Sequence, residues 1–126
     1  MTNRIEQVAY KDLKVWQKSM DLVHNVIDVI DEMETPRKHY RLIDQLESAV
    51  TSIPMNIAEG KGRNSKKEFV QFLYISRGSI YETLTLLEIF KQQNWLSEEK
   101  YNKLESSAME IIRMLKGLIN AISRSN

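Results

Sequence analysis

Apolar residues recur along this chain at alternating spacings of three and four over four long stretches, the period that keeps one stripe of a helix against its neighbours. The first stretch predicts a helix from about Asp12 to Met33, with Leu13, Trp16, Met20, Val23, Ile27 and Ile30 inward. Glu34-Thr35-Pro36 should end it, because a residue before proline is pushed out of the helical region. The second runs from about Lys38 to Glu59 on a seam of Ile43, Leu46, Val50, Ile53 and Ile57. Gly60, able to take a positive φ, is the expected stop. Pro54 lies inside this helix, deletes one backbone bond and should kink it.

Ser65-Lys66-Lys67-Glu68 is a capping box and opens a third helix that should reach about Gln93. Its inward set is Phe69, Leu73, Ser76, Ile80, Leu84, Leu87 and Phe90, and Gly78-Ser79 should let another helix approach closely. Ser97 caps the fourth helix, with Glu98 and Glu99 suited to the positive end of its dipole. Its seam is Tyr101, Leu104, Ala108, Ile111, Leu115, Leu118 and Ile122. Short connections make sequential helices antiparallel. The expected fold is all-α: one domain over 1–126, an up-down-up-down antiparallel four-helix bundle with a short flexible arm at 1–10.

Helix one also carries Val15, Leu22, Val26 and Val29 off its seam, and helix three carries Phe72, Tyr74, Ile75, Tyr81, Leu86 and Ile89. So broad an apolar surface asks for a second partner, and another copy of the chain is the simplest one.

Composition narrows the chemistry. The chain has 126 residues, a net charge of +1, 4 Gly, 2 Pro and no cysteine. Disulfides, thiolate nucleophiles and zinc-thiolate sites are excluded. No apolar run is long enough to cross a membrane, and the N-terminus lacks the apolar stretch of a signal peptide, so a cytoplasmic location is expected. A chain with a pI of about 7.9 does not announce nucleic-acid binding by its global charge.

Local charge says more. Residues 21–34 hold five acids and no Lys or Arg, 35–41 (TPRKHYR) hold three bases and His39, and 61–67 (KGRNSKK) hold four bases and no acid. In an up-down bundle Lys61, Arg63, Lys66, Lys67 and Arg124 fall at one end, with Lys11 and Lys14 as further candidates. Arg37, Lys38, His39 and Arg41 fall at the other. Two glycines, Gly60 and Gly62, a helix N-terminus and four cations make the first cluster the better anion site. The competing reading is a solvated turn between two helices. No P-loop is present, since neither the strand nor the GxxxxGK[ST] spacing is there.

Enzyme readings find little support. Asp21-x-x-His24 puts a carboxylate and an imidazole on one face, but a di-iron bundle needs two such motifs and two more inward carboxylates, and the chain has 2 His. No metal or cofactor is expected. His24 reads as a partly buried or interhelical histidine, Trp16 as core. Tyr74, Arg77 and Tyr81 share a stripe that suits a subunit interface or base stacking. Trp95 either staples the start of helix four or joins that interface. Ser52, Asn56 and Glu59 surround Pro54; either they satisfy carbonyls freed by the kink and pair with a base, or they form a ligand or partner site there.

Asp12-Leu13-Lys14-Val15-Trp16-Gln17-Lys18 and then Ser52-Ile53-Pro54-Met55-Asn56-Ile57-Ala58-Glu59-Gly60-Lys61-Gly62-Arg63 carry a resemblance. They are similar to the bacterial four-helix-bundle family first named for proteins encoded in intervening sequences of 23S ribosomal RNA genes. The match continues through Ser65-Lys66-Lys67-Glu68-Phe69, Gly78-Ser79 and Glu110-Ile111-Ile112-Arg113-Met114-Leu115. The resemblance implies a ring-shaped homopentamer. The family is similar to the accessory variability proteins of diversity-generating retroelements, which bind a reverse transcriptase and nucleic acid through a strongly basic ring. By that likeness the candidate partners are a second copy, RNA or DNA, and a reverse transcriptase or other protein. The expected function is a non-enzymatic, nucleic-acid-associated accessory or scaffold protein; the alternative is a protein-interaction scaffold with no affinity for nucleic acid.

Overall fold

The computed structural model describes residues 9–33 and 39–125. A 3₁₀ turn, Ala9–Asp12, leads into four helices: α1 Lys14–Glu32, α2 Tyr40–Lys61, α3 Lys66–Gln92 and α4 Glu98–Arg124. Sequential helices pack on one another and α1 closes against α4, so the fold is an all-α four-helix bundle. No helix of the described residues is long and apolar enough to cross a membrane. Residues 9 and 10, expected in the arm, belong to the 3₁₀ turn, and the Tyr10 ring meets Trp16 edge-on at 5.3 Å. The rest of the arm, the Glu34-Thr35-Pro36 stop, and the cations Arg37 and Lys38 lie outside the described residues.

Both capping serines act as expected. Ser65 Oγ accepts from the Glu68 amide at 3.3 Å and Ser97 Oγ from the Lys100 amide at 3.2 Å. The seams of α2, α3 and α4 are buried nearly as spaced, with Leu46, Val50, Ile53, Ile57, Leu73, Ile80, Leu87, Phe90 and Leu115 wholly enclosed. In α4 the seam drifts from Leu118, half-buried, to Ile119, buried, as a helix of 3.6 residues per turn slips past a seven-residue repeat.

α1 is turned from its expected orientation. Val15, Leu22, Val26 and Val29 are the core residues, joined by Val23, while Trp16, Met20, Ile27 and Ile30 are half-buried at the flank. With buried Ser19 between Val15 and Leu22 the core stripe too is spaced by three and four, so periodicity permits either. The valines and Leu22 face the core, and the indole takes the margin. The extra apolar stripe of α1 is therefore core and does not ask for a second partner.

The α2–α3 contact is built of small residues. A Cβ on Gly60 would stand 2.7 Å from the Phe72 Cβ and 3.0 Å from the Phe69 ring. Gly60 is thus not the expected positive-φ stop: the helix runs on to Lys61, and no glycine of the described residues has positive φ. Its missing side chain is what the packing needs. Ser76 Oγ donates to the Ile53 carbonyl at 2.9 Å, and the Ser52 and Ser79 hydroxyls hydrogen-bond each other across the same contact. Gly78, by contrast, faces open space, so the close approach expected of Gly78-Ser79 belongs to Ser79 and Ser76.

Between α3 and α4, Asn94 has a φ of 63°. Its amide donates to the Lys91 carbonyl at 3.0 Å and the Trp95 amide to the Phe90 carbonyl at 2.9 Å. This is the hydrogen-bond pair of a Schellman motif, and the Trp95 and Phe90 rings, 5.3 Å apart, supply its apolar contact.

Candidate functional site

Chain direction alone brings four termini together at one end of the bundle. α2 ends there at Lys61, α3 begins there at Lys66, α4 ends there at Arg124 and α1 begins there at Lys14. The expected cluster of Lys61, Arg63, Lys66, Lys67 and Arg124 is exposed throughout.

The five cations are not equivalent. Lys61 Nζ lies 5.8 Å above the Phe69 ring, and the Arg63 guanidinium lies 5.0 Å above Phe72 while pairing with Glu59 at 3.6 Å. Both are drawn back onto the bundle, their stems covering aromatic surface. Lys61 and Arg124 close helix C-termini, where a cation is favoured by the dipole. Lys66 and Lys67 stand in the first turn of α3, where the dipole disfavours them. Among the described residues neither makes an ion pair. Helix stability does not account for these two lysines.

Lys66 and Lys67 form one wall of a shallow groove of about 440 Å³ between α3 and α4. Half-buried Val70 and Ile122 lie in it, with Gln71 and Tyr74 further along α3 and Ser123 and Ser125 on α4. The groove therefore runs from the two lysines of α3 to the end of α4. The two glycines contribute differently from expectation. The Gly62 amide donates to the Ala58 carbonyl and the Arg63 amide to the Gly60 carbonyl, each at 3.1 Å, so these two amides are occupied internally.

The polar residues around Pro54 make local hydrogen bonds and an ion pair. α2 continues through Pro54, which is buried. Asn56 Nδ2 donates to the Ser52 carbonyl at 2.7 Å and Ser52 Oγ to the Ala49 carbonyl at 3.1 Å, carbonyls on either side of Val50, whose own partner Pro54 removes. Glu59 pairs with Arg63.

Tyr74 and Tyr81 are 46% and 52% exposed, and the Arg77 guanidinium sits 4.8 Å over the Tyr74 ring. Ile75 and Ile89, two heptads apart on the neighbouring stripe of α3, are exposed as well. Trp95 is not among them. It lies past the far end of α3, half-buried, tilted over His39 at 4.2 Å as well as against Phe90. The Schellman turn, visible in sequence as Asn followed by an aromatic, explains its position better than an interface does.

That far end holds His39 and Arg41 of the second basic patch. It also holds a Tyr101 hydroxyl that donates to Glu105 at 2.9 Å. Burial, then Glu105, pushes the Tyr101 phenol well above its usual range. His24 and Asp21 are both exposed on α1 rather than interhelical, because α1 is turned valines inward. Among the described residues no three His, Asp or Glu gather as metal ligands.

The 23S rRNA-intervening sequence protein family model matches residues 11–117, which spans all but the ends of the bundle just described. The chain belongs to this family. Intervening-sequence proteins thus include a bundle in which the Ser52–Arg63 string forms the α2–α3 contact and the turn at its basic end. A solved structure supports the fold: a protein of unknown function from the S23 ribosomal protein family of Bacteroides thetaiotaomicron. It is 24% identical, with a TM-score of 0.74 over 83% of this chain and 97% of that one. No curated protein matches the chain.

Proposed function

We propose that this intervening-sequence family member is a non-enzymatic, self-associating scaffold that contacts nucleic-acid phosphates through the basic end of its bundle. The observation that carries the reading is Lys66 and Lys67: exposed, without an ion pair among the described residues, and held against the helix dipole. Lys61, Arg63 and Arg124 surround them at the same end. Repetition of the cluster in a ring of copies would multiply phosphate contacts and so affinity. Self-association is supported by the exposed Ile75, Tyr81 and Ile89 on α3. The same apolar face supports the second reading, a scaffold that holds a protein such as a reverse transcriptase and ignores nucleic acid.

Fluorescence anisotropy of structured RNA and duplex DNA across a salt series, with light scattering on the same sample, separates the two. Binding by an assembly of several subunits should fall steeply with salt. Lys66→Glu/Lys67→Glu should weaken it and flatten the salt slope by about one per lost contact. Flat anisotropy at physiological salt from an intact assembly would leave the protein scaffold.

A further inference from the structure

The groove beside the basic end is built for more than phosphate. Lys66 and Lys67 form one side, half-buried Val70 and Ile122 give it an apolar floor, and Tyr74 stands further along α3. Residues 66 and 74 are eight positions apart, about 12 Å at 1.5 Å per residue. A simple anion such as sulfate would use the lysines and leave the floor and the ring idle. An apolar ligand would gain nothing from two unpaired cations. A ligand with a phosphate at one end and a flat, stackable body at the other uses all of it.

Resting on the phosphate-contacting reading above, we propose that this groove takes an unpaired nucleotide of a single strand, with its phosphates at Lys66 and Lys67 and its base against Tyr74. In a duplex the base faces are already stacked on one another and offer nothing to an aromatic side chain. An unpaired base has a free π-face. Arg77, 4.8 Å over the Tyr74 ring, fixes the ring in place and adds positive charge beside the base. The preference is therefore for single strands, loops and ends, with little choice of sequence, since every base can stack. Tyr74 serves here as a stacking platform, and contact between copies falls to Ile75 and Ile89 on the neighbouring stripe.

The test compares a labelled oligouridylate with the same strand annealed to its complement, at low salt, using wild type, Tyr74→Ala, Tyr74→Phe and Lys66→Glu/Lys67→Glu. Wild type should favour the single strand. Tyr74→Ala should lose about five- to hundredfold of single-strand affinity, as removal of one stacking platform does, and leave duplex affinity unchanged. Tyr74→Phe, which keeps the ring, should bind like wild type, and the unchanged duplex affinity of the alanine variant shows that its loss is not misfolding. Equal single-strand affinity in Tyr74→Ala, a wild-type preference for duplex, or dissociation of the assembly by Tyr74→Ala in light scattering would overturn the proposal. If the lysine variant loses binding while Tyr74→Ala does not, the single-strand assignment falls and the phosphate-contacting end stands. If neither nucleic acid binds, both fall.

Discussion

Two glycines on adjoining helices look alike in composition and behave oppositely in the fold. Gly60 sits where a Cβ would press on the Phe72 Cβ at 2.7 Å, an atom fixed to the α3 backbone. Gly60→Ala should therefore destabilise the bundle by about 1–3 kcal/mol through overpacking, despite the better helix propensity of alanine. Gly78 meets nothing within 4 Å. Gly78→Ala should stabilise by about 0.5–1 kcal/mol, the ordinary gain in an exposed helix interior. Urea titrations of the two variants, read as midpoint shifts of opposite sign, check the pair. At this scale sequence was a partial guide. It marked Gly60 as special from its place after a helix, but the reason lies 12 residues away in Phe72, which no local pattern brings near.

Within α3, the two ends carry different kinds of information. Its start places Lys66 and Lys67 against the dipole, with Ser65 and Glu68 holding the cap. Lys66→Glu/Lys67→Glu should raise thermal stability, by about 0.3–1 kcal/mol per exposed charge at low ionic strength, while it weakens anion binding. Calorimetry beside anisotropy reads both, and loss of stability together with binding would count against a functional origin for the lysines. Its end turns on Asn94 at a φ of 63°. Asn94→Val, β-branched in the left-handed region, should cost about 1–2 kcal/mol, while Asn94→Gly should be tolerated or stabilising; thermal melts distinguish them. The cap at Ser65 was legible because capping is local. The role of Trp95 was only half-legible, since its partner Phe90 is local but His39 stands just before α2.

For the whole molecule, the exposed apolar surface is narrower than the sequence implies. Val15, Leu22, Val26 and Val29 are used up in the core, while α3 keeps Ile75 and Ile89 uncovered on one stripe and Tyr74 and Tyr81 on the next. If the chain self-associates as proposed, Ile75→Glu/Ile89→Glu should leave a folded monomer. Light scattering should show the smaller mass and circular dichroism an unchanged helical signal. A change in neither would remove this face from the interface.

Helix number, helix direction, both serine caps and the gathering of Lys61, Arg63, Lys66, Lys67 and Arg124 at one end were determined by the sequence alone. Each depends on spacing, on chemistry within one turn, or on chain direction through short connections. The tertiary structure decided what spacing leaves degenerate or never encodes. It chose which of two stripes of α1 faces inward, a choice that their shared spacing leaves open. It assigned Gly60 to close packing, and it folded Arg63 onto Phe72 and Glu59 while leaving Lys66 and Lys67 free of ion pairs among the described residues. Those outcomes depend on distances between residues far apart in the chain, and only the packed helices set them.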